Sequence, residues 1–272
     1  MQYSNLHTHT CFSDGKHTPR ENIESAISKG MRSLGFSDHS YTACDESYCM
    51  MPSSYPRYIS EIQALKSEFR DTLPVFLGIE KDYYSDNVFS GFDYVMASVH
   101  YIVRGGNVYA IDHTAEMQLS CARDVFGGSI LDVAKCYYGM VAEQAYLCKP
   151  DVIGHFDVIS KFGLMPENSD EYLTVALDAL RETAKYCNIF DINTGAIARG
   201  YKKLPYPASP LLTELKKLGV RVMINSDSHH KDNLDHSFDL ALKCAIDAGY
   251  RSITHLTPDG MIDVDIDPIL LP

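Results

Sequence analysis

No apolar run in the 272-residue chain approaches the about 18 residues that a membrane-spanning helix requires, and no charged-then-apolar leader opens it. Both absences argue against a membrane or secreted protein and lead us to expect a cytoplasmic one. Eight cysteines, from Cys11 to Cys244, contain no CxxC pair. In a chain of this length they read as reduced thiols and not as a disulfide framework. Tryptophan is absent, so the aromatic content rests on 18 Tyr and 11 Phe. Positive charge is scarce: Lys and Arg number 24 against 36 Asp and Glu, a formal net charge of −12. That balance disfavours nucleic acid, whose phosphates demand Lys and Arg, and it suits a protein that holds divalent cations. No low-complexity linker interrupts the chain, and 45% hydrophobic residues are ample for a large core, so a single domain over residues 1–272 is expected.

Strand-like and helix-like stretches alternate. The start of the chain, "SNLHTH", and residues 33–39, 74–80, 94–100, 151–157, 188–194 and 221–227 are short apolar runs rich in Val, Ile and Phe, bounded by turn residues. Between them, "TPRENIESAISKG" (18–30) carries Thr at the N-cap, Pro at the first helical position, Glu21 three residues after the cap and Gly30 as a stop. Further helices are expected near 55–70, 129–148, 170–187, 209–218 and 232–248. Repeated strand–helix units with buried strands give an α/β protein with a parallel sheet. About seven units predict an irregular barrel short of eight strands, with an open doubly wound sheet as the alternative. Segments 40–56 and 101–128 are expected to lie over one end of the barrel as lids.

The strand ends carry an unusual set of side chains. His7 and His9 stand two apart, so on a strand both imidazoles project from one face. "SDH" ends at His39, "GIE" at Glu80 and "SVH" at His100; "GHFD" carries His155, "NSDSH" carries Asp227 and His229, and Asp14 follows the first strand. In an α/β barrel the C-terminal strand ends meet at one face. Six histidines and three acids converging there need partners, because clustered carboxylates repel unless a cation lies between them. Nine such side chains exceed the shell of one ion and suit two or three. Mixed imidazole and carboxylate donors fit Zn, Mn or Fe and not the all-oxygen shell of Ca or Mg. His17, His113, His230, His236 and His255 fall outside this pattern.

Taken together, the N-terminal HxH, Asp14, "SDH", "GIE", "SVH", "GH" and the late "SDSH" resemble the polymerase and histidinol phosphatase (PHP) family over residues 5 to about 235. The resemblance implies a distorted (β/α)7 barrel with up to three metal ions; some members carry His where Asp14 stands. It further implies that His7, His9, Glu80 and Asp227 bind one ion, that Glu80, His100 and His155 bind a second with Glu80 bridging, and that Asp14, His39 and His229 hold a third. Locally, "SVHYIVRGGNVYAID", "KPDVIGHFDVISKFG" and "DINTGAIARGYKKLPYP" resemble the histidinol-phosphate phosphatase branch. The implied activity is a metal-dependent phosphomonoesterase that releases L-histidinol and phosphate from L-histidinol phosphate in histidine biosynthesis. A family relative acting on another small phosphate ester, nucleotide or nucleic-acid end, and a non-catalytic metal-binding module, are the alternatives. A small phosphorylated substrate is the expected partner, with neither nucleic acid nor membrane. Asp227 is the candidate for shuttling the leaving group's proton. Arg199, Lys161 and Arg104 are candidates for gripping phosphate, and Tyr41, Tyr101 and Tyr109 for stacking on an imidazole-bearing substrate. The oligomeric state is not legible.

Overall fold

The computed structural model describes residues 3–85, 90–167 and 169–267. In chain order its elements are β1 (Ser4–Asn5), α1 (Pro19–Ser28), β2 (Ser33–Phe36), α2 (Tyr55–Glu68), β3 (Val75–Asp82), β4 (Tyr94–Ser98), β5 (Tyr101–Arg104), β6 (Asn107–Ala110), α3 (Ala115–Phe126), α4 (Ile130–Cys148), β7 (Val152–Ile153), α5 (Asp170–Thr183), β8 (Ile189–Asn193), α6 (Gly195–Ala198), α7 (Ser209–Lys217), β9 (Arg221–Asn225), α8 (Phe238–Asp247), β10 (Ser252–Thr257) and β11 (Gly260–Asp265). Seven strands form one parallel sheet in the order β1-β2-β3-β4-β7-β8-β9. Its two edges meet just past the ends of β1 and β9. There Thr8 pairs with Ser228, the His9 amide donates to the Ser228 carbonyl at 2.9 Å, and the Asn5 side chain donates to Ser226 Oγ at 2.6 Å. The sheet is therefore a nearly closed seven-stranded barrel, as expected, and not an open doubly wound sheet.

Local chemistry explains most boundaries. Thr18 and Glu21 exchange both capping-box bonds at the start of α1. The expected helices at 55–70, 129–148, 170–187 and 209–218 correspond to α2, α4, α5 and α7. The helix expected at 232–248 starts later, at Phe238, after a short 3-10 turn at Lys231–Asn233. The Leu234 carbonyl accepts from the Asn5 side chain at 2.8 Å, and Ser237 adopts φ 59, so neither residue continues a helix. Segment 101–128 is the β5–β6 hairpin, turning on Gly105 and Gly106 at positive φ, followed by α3. Among the described residues no helix is long and apolar enough to cross a membrane.

Side chains along a strand alternate between faces, and that alternation builds both core and site. A small apolar cluster of Leu6, Phe76, Tyr94, Met96, Val152, Ile189, Met223 and Leu256 draws on most barrel strands and fills the interior. A larger cluster joins the outward faces to the helices. On β3 the inward face runs Phe76, Gly78, Glu80, Asp82, passing from apolar plug to polar site within three steps. Tyr94 occupies the axis and donates its hydroxyl to the Leu6 carbonyl, immediately before His7. Gly78 leaves the room: a Cβ there would sit 2.1 Å from Tyr94 Cζ. Gly78→Ala is therefore expected to overpack the barrel and lower stability by about 1–3 kcal/mol. Urea unfolding measures this, and an unchanged midpoint would mean that Tyr94 is free to move aside.

Candidate metal centre

His7 and His9 follow β1, His39 follows β2, Glu80 lies within β3, His100 joins β4 to β5, His155 follows β7, and Asp227 and His229 follow β9. All but His229 are buried; that residue and Asp14 form the outer rim. The barrel thus gathers the nine side chains at the C-terminal end of its strands. Glu80, wholly inaccessible to solvent, is central. Its Oε1 lies 3.1 Å from His155 Nε2, 3.2 Å from His7 Nε2 and 3.6 Å from His100 Nε2; its Oε2 lies 2.8 Å from His39 Nδ1 and 3.7 Å from His9 Nε2. Asp227 Oδ1 approaches His9 Nε2 at 3.1 Å, and Asp14 Oδ2 approaches His229 Nε2 at 3.1 Å.

Apart from the hydrogen bond between His155 Nε2 and Glu80 Oε1, several of these contacts are close without being hydrogen bonds. His39 Nδ1 and Glu80 Oε2, 2.8 Å apart, both lack a hydrogen-bond partner, as do His7 Nε2 and both ring nitrogens of His9. Orphaned polar atoms at such depth are costly. Lone pairs that converge on common points without bonding one another are arranged for cations between them. Four groups bring ligand atoms within 4.8 Å of one another: His9, Asp14, His39 and His229; His7, Glu80 and His155; His7, His9 and Asp227; and His39, Glu80 and His100. The donor set fits several divalent ions of the zinc, manganese or iron type.

The electrostatics agree. Burial alone would raise the Glu80 carboxyl, but the charges of His7, His39 and His100 hold it well below the usual carboxylate range. Burial, with His229 and His39 nearby, depresses the His9 imidazole to about 3, leaving it neutral and able to ligate. For His100, burial is outweighed by Glu80 and by the bond to Asp82, which push it up to about 10.

Above the ligands opens a cavity of about 580 Å³. Arg199, at the end of α6, lines it and donates from Nη2 to Asp227 Oδ2 at 2.6 Å. Gly195 permits this approach, since a Cβ there would lie 2.7 Å from Arg199 Nη2 and 2.9 Å from Asp227 Oδ2. Lys161 lines the same cavity and donates to the Asp112 carbonyl at 2.5 Å; Tyr101 lines it and donates to Asp45 Oδ2 at 3.0 Å. Both proposed lid segments contribute to the wall, through Asp45, Ser47 and Tyr48 and through Tyr101, Asp112 and His113.

Arg104 does not reach the cavity. It sits exposed at the end of β5, its guanidinium on the Val103 carbonyl at 3.0 Å and Cys136 Sγ at 3.4 Å, because the Gly105–Gly106 turn carries it away. Tyr41 donates to Glu46 and Tyr109 to Asp124, and neither lines the cavity. Asp227, paired with Arg199, is held well below the carboxylate range despite its burial, so it carries no proton to give at the outset. Sequence reading missed three kinds of residue: a further cavity cation, Lys16; an acid on the cavity wall, Asp112; and two buried carboxylates behind the ligands, Asp82 and Asp191. Asp82 Oδ2 accepts from His100 Nδ1 at 3.1 Å. Its place two residues after Glu80, on the same strand face, was the available signal.

The family profile of the PHP domain matches residues 5–195. The chain belongs to the PHP domain family. Within the family it is 32% identical to a Deinococcus radiodurans protein named "Probable histidinol-phosphatase", over 92% of this chain and 95% of that one. It is 26% identical to the histidinol-phosphatase of Bacillus subtilis, over 89% of this chain and 99% of that one. Among solved structures, the histidinol phosphate phosphatase of Lactococcus lactis, complexed with zinc, L-histidinol and phosphate, superposes with a TM-score of 0.74. At 21% identity it covers 96% of this chain and 99% of that one, a likeness of fold. The PHP-type distorted (β/α)7 barrel is thus the fold of this chain.

Two outcomes are expected of this centre. Glu80→Gln should remove far more activity than Asp14→Ala, because Glu80 touches two of the four ligand groups whereas Asp14 touches the outer one alone. Equal, small losses in folded variants, checked by circular dichroism, would show that Glu80 is not shared. Metal affinity should also fall on acidification. With its folded pKa raised to about 10, His100 holds a proton that an ion must displace, so below that pKa each pH unit weakens binding by about tenfold per displaced proton. Zinc titrations between pH 6 and 8 measure the slope, and a pH-independent affinity would contradict it.

Proposed function

We propose that this protein is a metal-dependent phosphomonoesterase that hydrolyses L-histidinol phosphate to L-histidinol and phosphate, as in histidine biosynthesis. We propose His7, His9, Asp14, His39, Glu80, His100, His155, Asp227 and His229 as the side chains that hold two or three divalent ions. The observation that carries the reading is the Glu80-centred ligand cage beneath a cavity that also presents Arg199 and Lys161. Likeness to histidinol-phosphatases over most of the chain supports the same substrate. The eight cysteines stand unbridged, which suits a cytoplasmic setting.

Divalent ions supply Lewis acidity and neutralise phosphoryl charge when bound. The chain's own groups do the rest. Arg199, with Lys161 beside it, binds the phosphoryl oxygens, the guanidinium by paired donors. Asp227 accepts a proton from the attacking water and returns it to the leaving alkoxide, which is too basic to depart unprotonated. Its depressed pKa makes it a weak base, so the proton is passed on and not stored. Asp45 and Asp112 on the cavity wall suit a leaving group that carries an amine and an imidazole. The walls contributed by residues 45–48 and 101–113 favour a small substrate over a polymer.

The test is phosphate release from L-histidinol phosphate and from p-nitrophenyl phosphate, with and without chelator. Chelator-sensitive turnover with the higher kcat/KM on L-histidinol phosphate is expected. A higher kcat/KM on another ester would reassign the substrate, and no metal-dependent turnover on any ester would favour a binding module. Arg199→Ala should cost about tenfold to hundredfold in kcat/KM, the equivalent of a charge-assisted hydrogen bond of about 1.5–3 kcal/mol, with the metal count unchanged. Arg199→Lys should recover part of the loss, since charge returns without the fork. Unchanged kinetics would place Arg199 outside the reaction and leave Lys161 as the phosphate ligand.

A further inference from the structure

Behind the ligand cage lies a side chain that none of the four ligand groups contains. Asp191, on β8, is wholly buried. Its Oδ2 accepts from His7 Nδ1 at 3.0 Å and from the Asn193 amide at 3.1 Å, while Oδ1 accepts from the His155 backbone amide at 2.6 Å. One carboxylate therefore grips two members of the same ligand group, His7 through its ring and His155 through its main chain. The group completed by Glu80 gets both its imidazoles from residues tied to Asp191. The outer group of His9, Asp14, His39 and His229 has no bond to it.

We propose that Asp191 is the positioning residue of the inner metal site: it fixes the His7 tautomer with hydrogen on Nδ1, turns the Nε2 lone pair toward Glu80, and sets the height of His155. A carboxylate oxygen can only accept, so the Nδ1 atom facing it must donate. In the neutral ring, the form that ligates a metal, Nε2 is then left unprotonated with its lone pair toward Glu80 Oε1, 3.2 Å away. Groups that orient ligating histidines in this way typically govern about tenfold to hundredfold in metal affinity. His100 has an analogous partner in Asp82, which accepts from both its ring and its backbone amide. Asp191 differs in joining two ligands from separate strands.

Asp191→Asn keeps shape and removes this logic. The new NH2 must face either the His155 amide, setting donor against donor, or His7 Nδ1 and the Asn193 amide, forcing His7 to carry its hydrogen on Nε2. In either orientation the inner group suffers and the outer one does not. The experiment is zinc titration of chelator-stripped protein against a chromophoric competitor, with elemental analysis per chain. For Asp191→Asn the inner ions, held by the groups that contain His7 or His155, should weaken by about tenfold to hundredfold while the outer ion keeps its affinity, and Asp191→Glu should recover part of the loss. Unchanged affinities, or equal weakening of every ion in a folded variant, would overturn the proposal. Long-range proton–nitrogen NMR of the zinc-loaded wild type decides the matter even if the variants do not fold. His7 protonated on Nδ1 is expected, and His7 protonated on Nε2 would refute the assignment. Both readouts concern metal and tautomer, so they stand apart from which phosphate ester is turned over.

Discussion

A single carboxylate with no access to water, that of Glu80, is packed among five imidazoles within 3.7 Å, and its Oε2 has no hydrogen bond. Removing a carboxylate from water is expensive unless something compensates it fully. Protonation of His100 does so partly, yet the geometry leaves lone pairs that no proton joins. Cations shared among these atoms would resolve the conflict. The site exists because the barrel holds Glu80 where, without such cations, it would be badly placed.

The barrel does this through alternation. Several inward faces begin apolar and end polar. Phe76 leads to Glu80 on β3, Ile189 to Asp191 on β8, and Met223 to Asp227 just past β9. The apolar layer, plugged by Tyr94 and by Leu256 of β10, makes the floor rigid, and Tyr94 fixes the Leu6 carbonyl from which His7 hangs. Stability and chemistry therefore share strands but not layers. At the site Asp227 takes φ 48, a left-handed conformation uncommon outside glycine.

Much of this was legible in the sequence. The candidate ligand residues stood at strand ends, and periodicity found those ends. The capping box of α1 was explicit in Thr18 and Glu21. Other features depend on contacts remote in sequence. Nothing near Leu234 announces that its carbonyl serves Asn5, so α8 was expected too early. Arg104 was a candidate for gripping phosphate, whereas two glycines at positive φ turn the chain beside it. The "RGGN" turn was present to be read and marks the hairpin. Asp82 and Asp191 escaped because an acid within an apolar strand shows its purpose only once the imidazole it faces is placed.

The central claim is that Glu80 is shared between cations within the barrel mouth. Anomalous diffraction at the zinc edge from crystals of the zinc-loaded protein tests it most directly. Two or three peaks are predicted among the four ligand groups, with Glu80 oxygens between two of them. A single peak that does not touch Glu80, with its carboxylate hydrogen-bonded to histidines alone, would contradict the account.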